Sequence, residues 1–144
     1  MRLQDKNSGD RPLRVLAAED NPTNQLVLRT LLLQAGVDLV VVGDGIEAVE
    51  AWGREPWDIV LMDVQMPGMD GPTATRRIRE EEARRGMART PILALTANVM
   101  NHQVREYLEA GMDGCVGKPL QVAALFEAIE TSLSASDATL PPSP

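Results

Sequence analysis

Asp63 is the residue whose surroundings ask for chemistry. It closes the run Ile59-Val60-Leu61-Met62-Asp63, in which four apolar residues are followed at once by a carboxylate. An uncharged apolar run of this kind reads as a strand buried on both faces, the form a central parallel strand takes in an α/β protein. A carboxylate where such a strand runs out lies at the carboxyl edge of the sheet, where open α/β sheets gather their ligands. The segment after it, Met66-Pro67-Gly68-Met69-Asp70-Gly71, cannot extend the strand, because Pro67 lacks an amide hydrogen and the glycines favour a turn. Taken alone, an aspartate in this place would merely cap the next turn. Its meaning depends on what the other strand ends carry.

Three other apolar runs end in polar groups: Leu13 to Ala18 leads into Glu19-Asp20, Pro91 to Leu95 into Thr96, and Gly114 to Gly117 into Lys118. If these runs are parallel strands of one sheet, their ends share an edge, and three carboxylates, a hydroxyl and an ammonium converge there. Crowded carboxylates repel one another, and a hard divalent cation bound through oxygen is the usual remedy. Mg²⁺ suits a site that offers two or three oxygens and leaves positions for water and a phosphoryl group. A lysine and a hydroxyl beside it would hold the remaining phosphoryl oxygens. This is equipment for moving a phosphoryl group onto a carboxylate, where positioning and charge neutralisation do most of the catalysis.

The elements that must position these groups follow in order. Met1 to Pro12 is polar and reads as a flexible leader or linker. After the first strand, Asn21-Pro22 supplies a cap and a first-turn proline, and Leu26, Val27, Leu31 and Leu32 supply the apolar face of a helix that ends at Gly36. Leu39 to Val42 is the second strand, and Asp44 with Glu47 makes a capping box for a helix from Gly45 to Trp52, with Pro56 ending the unit. Gly71-Pro72 opens a third helix, whose Glu80/Arg84 and Glu81/Arg85 pairs place a charge run on a solvated face. A helix from about Asn101 to Ala110 is stopped by Gly111, and His102 on its polar start reads as a surface residue, without Cys or His neighbours to complete a site. Val122, Leu125, Phe126, Ile129 and Leu133 recur at helical spacing as the core stripe of a terminal helix. From Ser134 to Pro144 the composition reads as a disordered tail or linker. Five strands alternating with five helices through short connections predict a parallel sheet with right-handed crossovers and helices on both faces.

Composition narrows the possibilities. One domain is expected for 144 residues, and with 3% aromatics its core must be built from Val, Leu, Ile, Ala and Met. A formal net charge of -7 argues against a nucleic-acid partner. The single cysteine, Cys115, cannot form an internal disulfide and fits a reducing compartment. No apolar run has the length of a membrane span, and the start is not signal-like, so the expected location is cytoplasmic, either free or as the cytoplasmic part of a membrane-anchored protein.

Four motifs, Ala18-Glu19-Asp20-Asn21, the run from Leu61 to Gly71, Ala94-Leu95-Thr96-Ala97 and Gly117-Lys118-Pro119, occur in one order at four strand ends. Together they resemble the receiver domain of two-component signalling, over about Leu13 to Leu133. The resemblance implies a flavodoxin-like (βα)5 fold with strand order 2-1-3-4-5, and a phosphoacceptor rather than a turnover enzyme. It implies that Asp63 takes a phosphoryl group from the phosphohistidine of a histidine kinase or histidine phosphotransfer protein. Glu19, Asp20, Asp63 and the backbone carbonyl of Gln65 would hold Mg²⁺, Thr96 would close on the phosphoryl group, and Lys118 would neutralise one of its oxygens. The Lys118-Pro119 bond is commonly cis in the family. Asn21-Pro22-Thr23-Asn24-Gln25 and Ala94 to Met100 look most like receivers of hybrid sensor histidine kinases. In one respect the chain departs: the family often has Tyr or Phe three residues before the lysine, where this chain has Cys115.

Three other readings compete. Gly43-Asp44-Gly45-Ile46-Glu47-Ala48 fits a dinucleotide-binding fingerprint, but Asp44 would put a negative charge inside the phosphate turn. A haloacid-dehalogenase-type phosphatase would carry a second aspartate two residues after the nucleophile, where Gln65 stands. A pseudo-receiver acting only as a binding platform would leave the intact acids and lysine without a purpose.

Overall fold

A computed structural model describes residues 12–97 and 101–138. Most of the expected leader, the end of the tail and Asn98, Val99 and Met100 lie outside the described residues. Ten elements alternate: β1 (Arg14–Ala18), α1 (Pro22–Gln34), β2 (Asp38–Val42), α2 (Gly45–Arg54), β3 (Ile59–Asp63), α3 (Gly71–Arg85), β4 (Ile92–Thr96), α4 (Asn101–Glu109), β5 (Gly114–Gly117) and α5 (Val122–Ala138). All strand pairs are parallel and the sheet order is β2-β1-β3-β4-β5, as the resemblance implied.

Strand alternation sorts the core into two layers. Val15, Ala17, Ile59, Leu61, Leu93 and Leu95 face α1 and α5, packing with Leu28, Leu32, Leu125, Phe126 and Ile129. Their neighbours Leu16, Val60, Met62, Ile92 and Ala94 face α2, α3 and α4, packing with Trp52, Ala74, Ile78 and Tyr107. β3 is buried along its whole length, as expected of a central strand.

Caps set where the helices begin. The Asn21 side chain accepts from the amides of Thr23 and Asn24 at 2.8 and 3.2 Å, with Pro22 in the first turn of α1. Asp44 accepts from the Glu47 amide at 2.8 Å, while the Glu47 carboxylate reaches back to the Gly43 amide at 3.3 Å, one residue short of a true capping box. Asp70 caps α3 through the Thr73 amide at 2.9 Å. The dinucleotide reading fails here, because the Asp44 carboxylate already caps α2 and the Met69 carbonyl closes on Gly45, leaving no cradle for a phosphate.

Several expectations need correction. In α1 the fully buried residues are Leu28 and the expected Leu32, whereas Leu26 is 65% exposed; the helix is rotated so that the i, i+4 pair Leu28 and Leu32 meets the sheet. Val122 is also outside the core, at 48% exposure, since it begins α5 before the helix has reached the sheet. The terminal helix does not stop at Leu133 but runs to Ala138, because Ala135 and Ala138 favour helix and the first proline comes only at Pro141. His102 is exposed, as expected. Among the described residues no helix is long and apolar enough to cross a membrane.

The charge run of α3 divides into a solvated face and an inward-turned pair that the sequence reading did not single out. Arg84 and Arg85 both bind Glu81, at 2.6 and 2.9 Å, and form the expected solvated face, although Arg84 takes Glu81 rather than Glu80. Glu82 and Arg79 instead turn inward at the amino edge of the sheet. Glu82 is 5% exposed and accepts from Arg79 at 2.9 Å and from the Thr90 amide at 2.7 Å. The Arg79 guanidinium also donates to the Thr90 carbonyl at 2.8 Å, the Gly111 carbonyl at 2.9 Å and Asp113 at 2.8 Å. Asp113 in turn accepts from the Ile92 amide at 2.8 Å, and Trp52 donates to the Thr90 hydroxyl at 3.1 Å. One arginine thereby ties α3, the start of β4 and the α4–β5 turn together at the edge opposite the strand ends of interest. Removing one partner of a buried pair leaves the other charge uncompensated, so Arg79→Ala should lower the unfolding free energy by roughly 3 kcal/mol in urea denaturation. Arg84→Ala, on the solvated face, should leave the urea midpoint where it is; equal effects of the two would contradict this division.

Candidate functional site

Glu19 follows β1, Asp63 ends β3, and Lys118 follows β5, so all three emerge at the carboxyl edge. Alternation also gives them a common side. Asp63 continues the Ile59–Leu61 set, Glu19 the Val15–Ala17 set, and Lys118 follows Val116, all of which belong to the layer under α1 and α5. The Lys118 Nζ lies 2.9 Å from Glu19 Oε1 and 3.2 Å from Asp63 Oδ1. The Lys118-Pro119 bond is cis.

Each group is held from behind. Glu19 is fully buried; its Oε2 accepts from the Asn21 amide at 3.1 Å, its amide donates to the Val42 carbonyl at 3.0 Å, and its carbonyl accepts from Gln25 Nε2 at 2.6 Å. Asp63 is 4% exposed and its Oδ1 accepts from the Gln65 amide at 3.2 Å. The loop after it is pinned by Val64 N to the Leu95 carbonyl and Gly71 N to the Val64 carbonyl, both at 3.0 Å. Gly71 must be glycine in this arrangement: a Cβ there would run into the Asp63 carbonyl. Lys118 is anchored by its amide, which donates to the Thr96 carbonyl at 2.8 Å.

The electrostatics follow from this crowding. Burial first, and then the neighbouring Glu19 through hydrogen bonding and charge, push the Asp63 carboxyl up to about 7. Lys118 pulls the other way without prevailing. For Lys118 itself burial favours the neutral amine, yet Glu19 and Asp63 together outweigh burial and raise its pKa above the ordinary lysine value. At Asp63, burial and Glu19 together therefore outweigh the one ammonium.

All six residues expected from the sequence, Glu19, Asp20, Asp63, Gln65, Thr96 and Lys118, line one open cleft of about 880 Å³. Glu19, Asp20 and Asp63 each offer a carboxylate oxygen within 4.8 Å of the others. Asp20 is exposed while the other two acids are buried, so the set opens to solvent on one side. An all-oxygen, negatively charged donor set fits a hard divalent cation. Thr96 stands apart from the cation-facing group: its hydroxyl lies 3.0 Å from the Tyr107 hydroxyl, inside the same cleft. Tyr107 is the residue that sequence reading missed. Its signal was present as the lone tyrosine on the helix after Thr96, three residues from Val104 and from Ala110 on one face. Cys115 is half-buried in β5, opposite Ala94, and burial pushes its thiol up and away from reactivity.

Comparison with known proteins agrees with this geometry. A family model described as the response regulator receiver domain matches residues 15–130. The chain is 47% identical over 116 residues to the sensor protein GacS of Pseudomonas syringae pv. syringae, covering 81% of this chain and 13% of that protein. It thus spans about an eighth of the length of that relative. Among solved structures, the receiver domain of the sensor histidine kinase PA1611 of Pseudomonas aeruginosa PAO1 is 38% identical, with a TM-score of 0.77 over 86% of this chain and 99% of that one. That receiver has a magnesium ion coordinated in its active-site cleft. A chain from the co-crystal of the Saccharomyces cerevisiae histidine phosphotransfer protein Ypd1 with the receiver domain of its downstream response regulator Ssk1 is 29% identical, with a TM-score of 0.82 over 90% of this chain and 94% of that one.

The raised carboxyl gives a signed dependence on pH. Between its ordinary value of 3.8 and about 7, the folded Asp63 binds a proton that the unfolded chain has released, so stability falls as pH rises through that window. In metal-free buffer, Asp63→Asn should therefore melt higher than wild type at pH 8, and this advantage should shrink steadily towards pH 4. A constant difference across that range, read by circular dichroism, would contradict the assignment.

Proposed function

This chain belongs to the response regulator receiver domain family of two-component signalling, and from that premise we propose that Asp63 is its phosphoacceptor. The observation that carries the reading is the placement of a buried carboxylate 3.2 Å from the Lys118 ammonium, with Glu19 and Asp20 close enough to share one cation with it. The donor is a phosphohistidine on a histidine kinase or a histidine phosphotransfer protein, in keeping with the Ypd1 co-crystal among its structural relatives.

The step is an in-line displacement. An Asp63 carboxylate oxygen bonds to phosphorus as the P–N bond to the donor imidazole breaks; the bonding pair returns to that nitrogen, which takes a proton from solvent. Asp63 must be ionised to attack. Lys118 favours that form and afterwards offers its ammonium to a phosphoryl oxygen, while the Thr96 hydroxyl donates to another. Glu19, Asp20, Asp63 and the Gln65 backbone carbonyl would hold Mg²⁺, which when bound supplies positive charge to the acids and to the phosphoryl oxygens. Glu19 is fixed by its bonds to Asn21, Val42 and Gln25, so the acid beneath the site keeps its place whether or not the reaction proceeds.

On this reading the domain is modified once per molecule and is not a turnover enzyme. It relays or switches a signal, with the receiver body beginning at Leu13 and ending within α5. The much longer sensor protein among its relatives supports placing it in a hybrid histidine kinase, on the cytoplasmic side, where the unpaired Cys115 is at home. The net charge of -7 supports a protein partner over nucleic acid.

Incubation with acetyl phosphate should add one phosphoryl group by intact-mass spectrometry when Mg²⁺ is present and none in EDTA. Asp63→Asn should abolish the adduct. Labelling that survives this substitution, or that ignores Mg²⁺, would overturn the proposal.

A further inference from the structure

We propose that Gln25 is a positioning residue for Asp20, holding from α1 the peptide that sets where this exposed carboxylate stands in the cleft; this rests on the phosphoacceptor reading given above. Gln25 Nε2 donates to the Glu19 carbonyl at 2.6 Å. Among the described residues the cleft lining takes Asp20, Asn21 and Asn24 from this stretch but not Gln25, so the amide acts from behind the turn.

The three acids of the site are held in different ways. Asp63 ends a buried strand. Glu19 is fully buried with both carboxylate oxygens engaged, Oε1 at 2.9 Å from Lys118 Nζ and Oε2 at 3.1 Å from the Asn21 amide. Asp20 is exposed, so the backbone decides where its carboxylate stands.

Peptide planarity shows what holds that backbone. A bond to a carbonyl oxygen orients the whole peptide unit, including the next residue's amide and Cα. The Glu19 carbonyl belongs to the unit that enters Asp20, and Gln25 holds it. The Asn21 amide belongs to the unit that leaves Asp20, and the Glu19 carboxylate holds it. Both units flanking the Asp20 Cα are therefore fixed. The second hold ends on a carboxylate that the Lys118 ammonium also draws on. The first joins two neutral groups, so it persists while the charge in the cleft changes.

The residue type matters as much as its place. The Asn21 cap and Pro22 set the start of α1, and the Gln25 amide donates to the Asn21 carbonyl at 2.9 Å, which closes the turn from which the side chain reaches back. A glutamate of the same length only accepts when ionised, and so could not bind a carbonyl. A buried carbonyl that loses its donor is costly, so without Gln25 the Glu19–Asp20 peptide would turn towards another partner and carry Asp20 with it.

Gln25→Met keeps the length of the side chain and removes the donor. Calorimetric titration with Mg²⁺ alone should show affinity weakened about 3- to 10-fold, the range of one neutral hydrogen bond. In metal-free protein, hydrogen exchange followed by NMR should show the Asn21 amide less protected and the β3 amides protected as in wild type. Gln34→Met, on the exposed far end of the same helix, should match wild type in both measurements. Wild-type Mg²⁺ affinity in Gln25→Met, or a loss of protection that extends to β3, would overturn the proposal. If the wild-type protein neither binds Mg²⁺ nor takes a phosphoryl group from acetyl phosphate, the Asp63 reading fails and the role of Gln25 fails with it. A wild type that binds Mg²⁺ and is labelled, beside a Gln25→Met variant that binds Mg²⁺ equally well, would remove the role of Gln25 alone.

Discussion

Repulsion between carboxylates held in one place by a rigid sheet is the constraint from which the site follows. Glu19 and Asp63 are buried side by side, Asp20 stands at their open flank, and Lys118 is the ammonium that touches both buried acids. Relaxation is not open to them, because Glu19 is bonded from three directions and Asp63 ends a strand buried on both faces. Burial, reinforced by the neighbouring Glu19, instead raises the Asp63 carboxyl to about 7. A divalent cation removes the repulsion, and a phosphoryl group adds to it, which is why the proposed chemistry needs the metal.

Strand parity divides the labour. The layer under α1 and α5 supplies the acids and the lysine, and the layer under α2, α3 and α4 supplies Thr96 and its tyrosine neighbour. The two sets of groups meet at one sheet edge while packing against different helices. The opposite edge is closed by the Arg79, Glu82 and Asp113 network, which fixes the start of β4 and the α4–β5 turn.

The parallel sheet and the strand-end residues Glu19, Asp20, Asp63, Thr96 and Lys118 were legible from local signals, namely apolar runs, caps and polar residues at strand ends, whereas the strand order and Gln65 came with the family resemblance. Asn21 and Asp44 announced their helices through side-chain chemistry that needs no tertiary partner. What depended on the third dimension was misread or passed over. Glu82 looks like its neighbours in a charged run, and only the approach of Thr90 and Arg79 makes it a buried residue. Leu26 and Leu28 are equally apolar, and the rotation of α1 against the sheet decides which is covered. Tyr107 drew no notice because a tyrosine on an amphipathic helix is ordinarily core; the hydroxyl that gives it significance belongs to a residue eleven positions earlier.

The account turns on a rim carboxylate kept partly protonated until a cation arrives. Calorimetric titration of Mg²⁺ at pH 7, repeated in buffers of different ionisation heat, measures this directly as protons released per ion bound. With the Asp63 pKa raised, binding should release protons, and Asp63→Asn should release markedly fewer. Magnesium that binds without exchanging protons, or that fails to bind at all, would contradict the account.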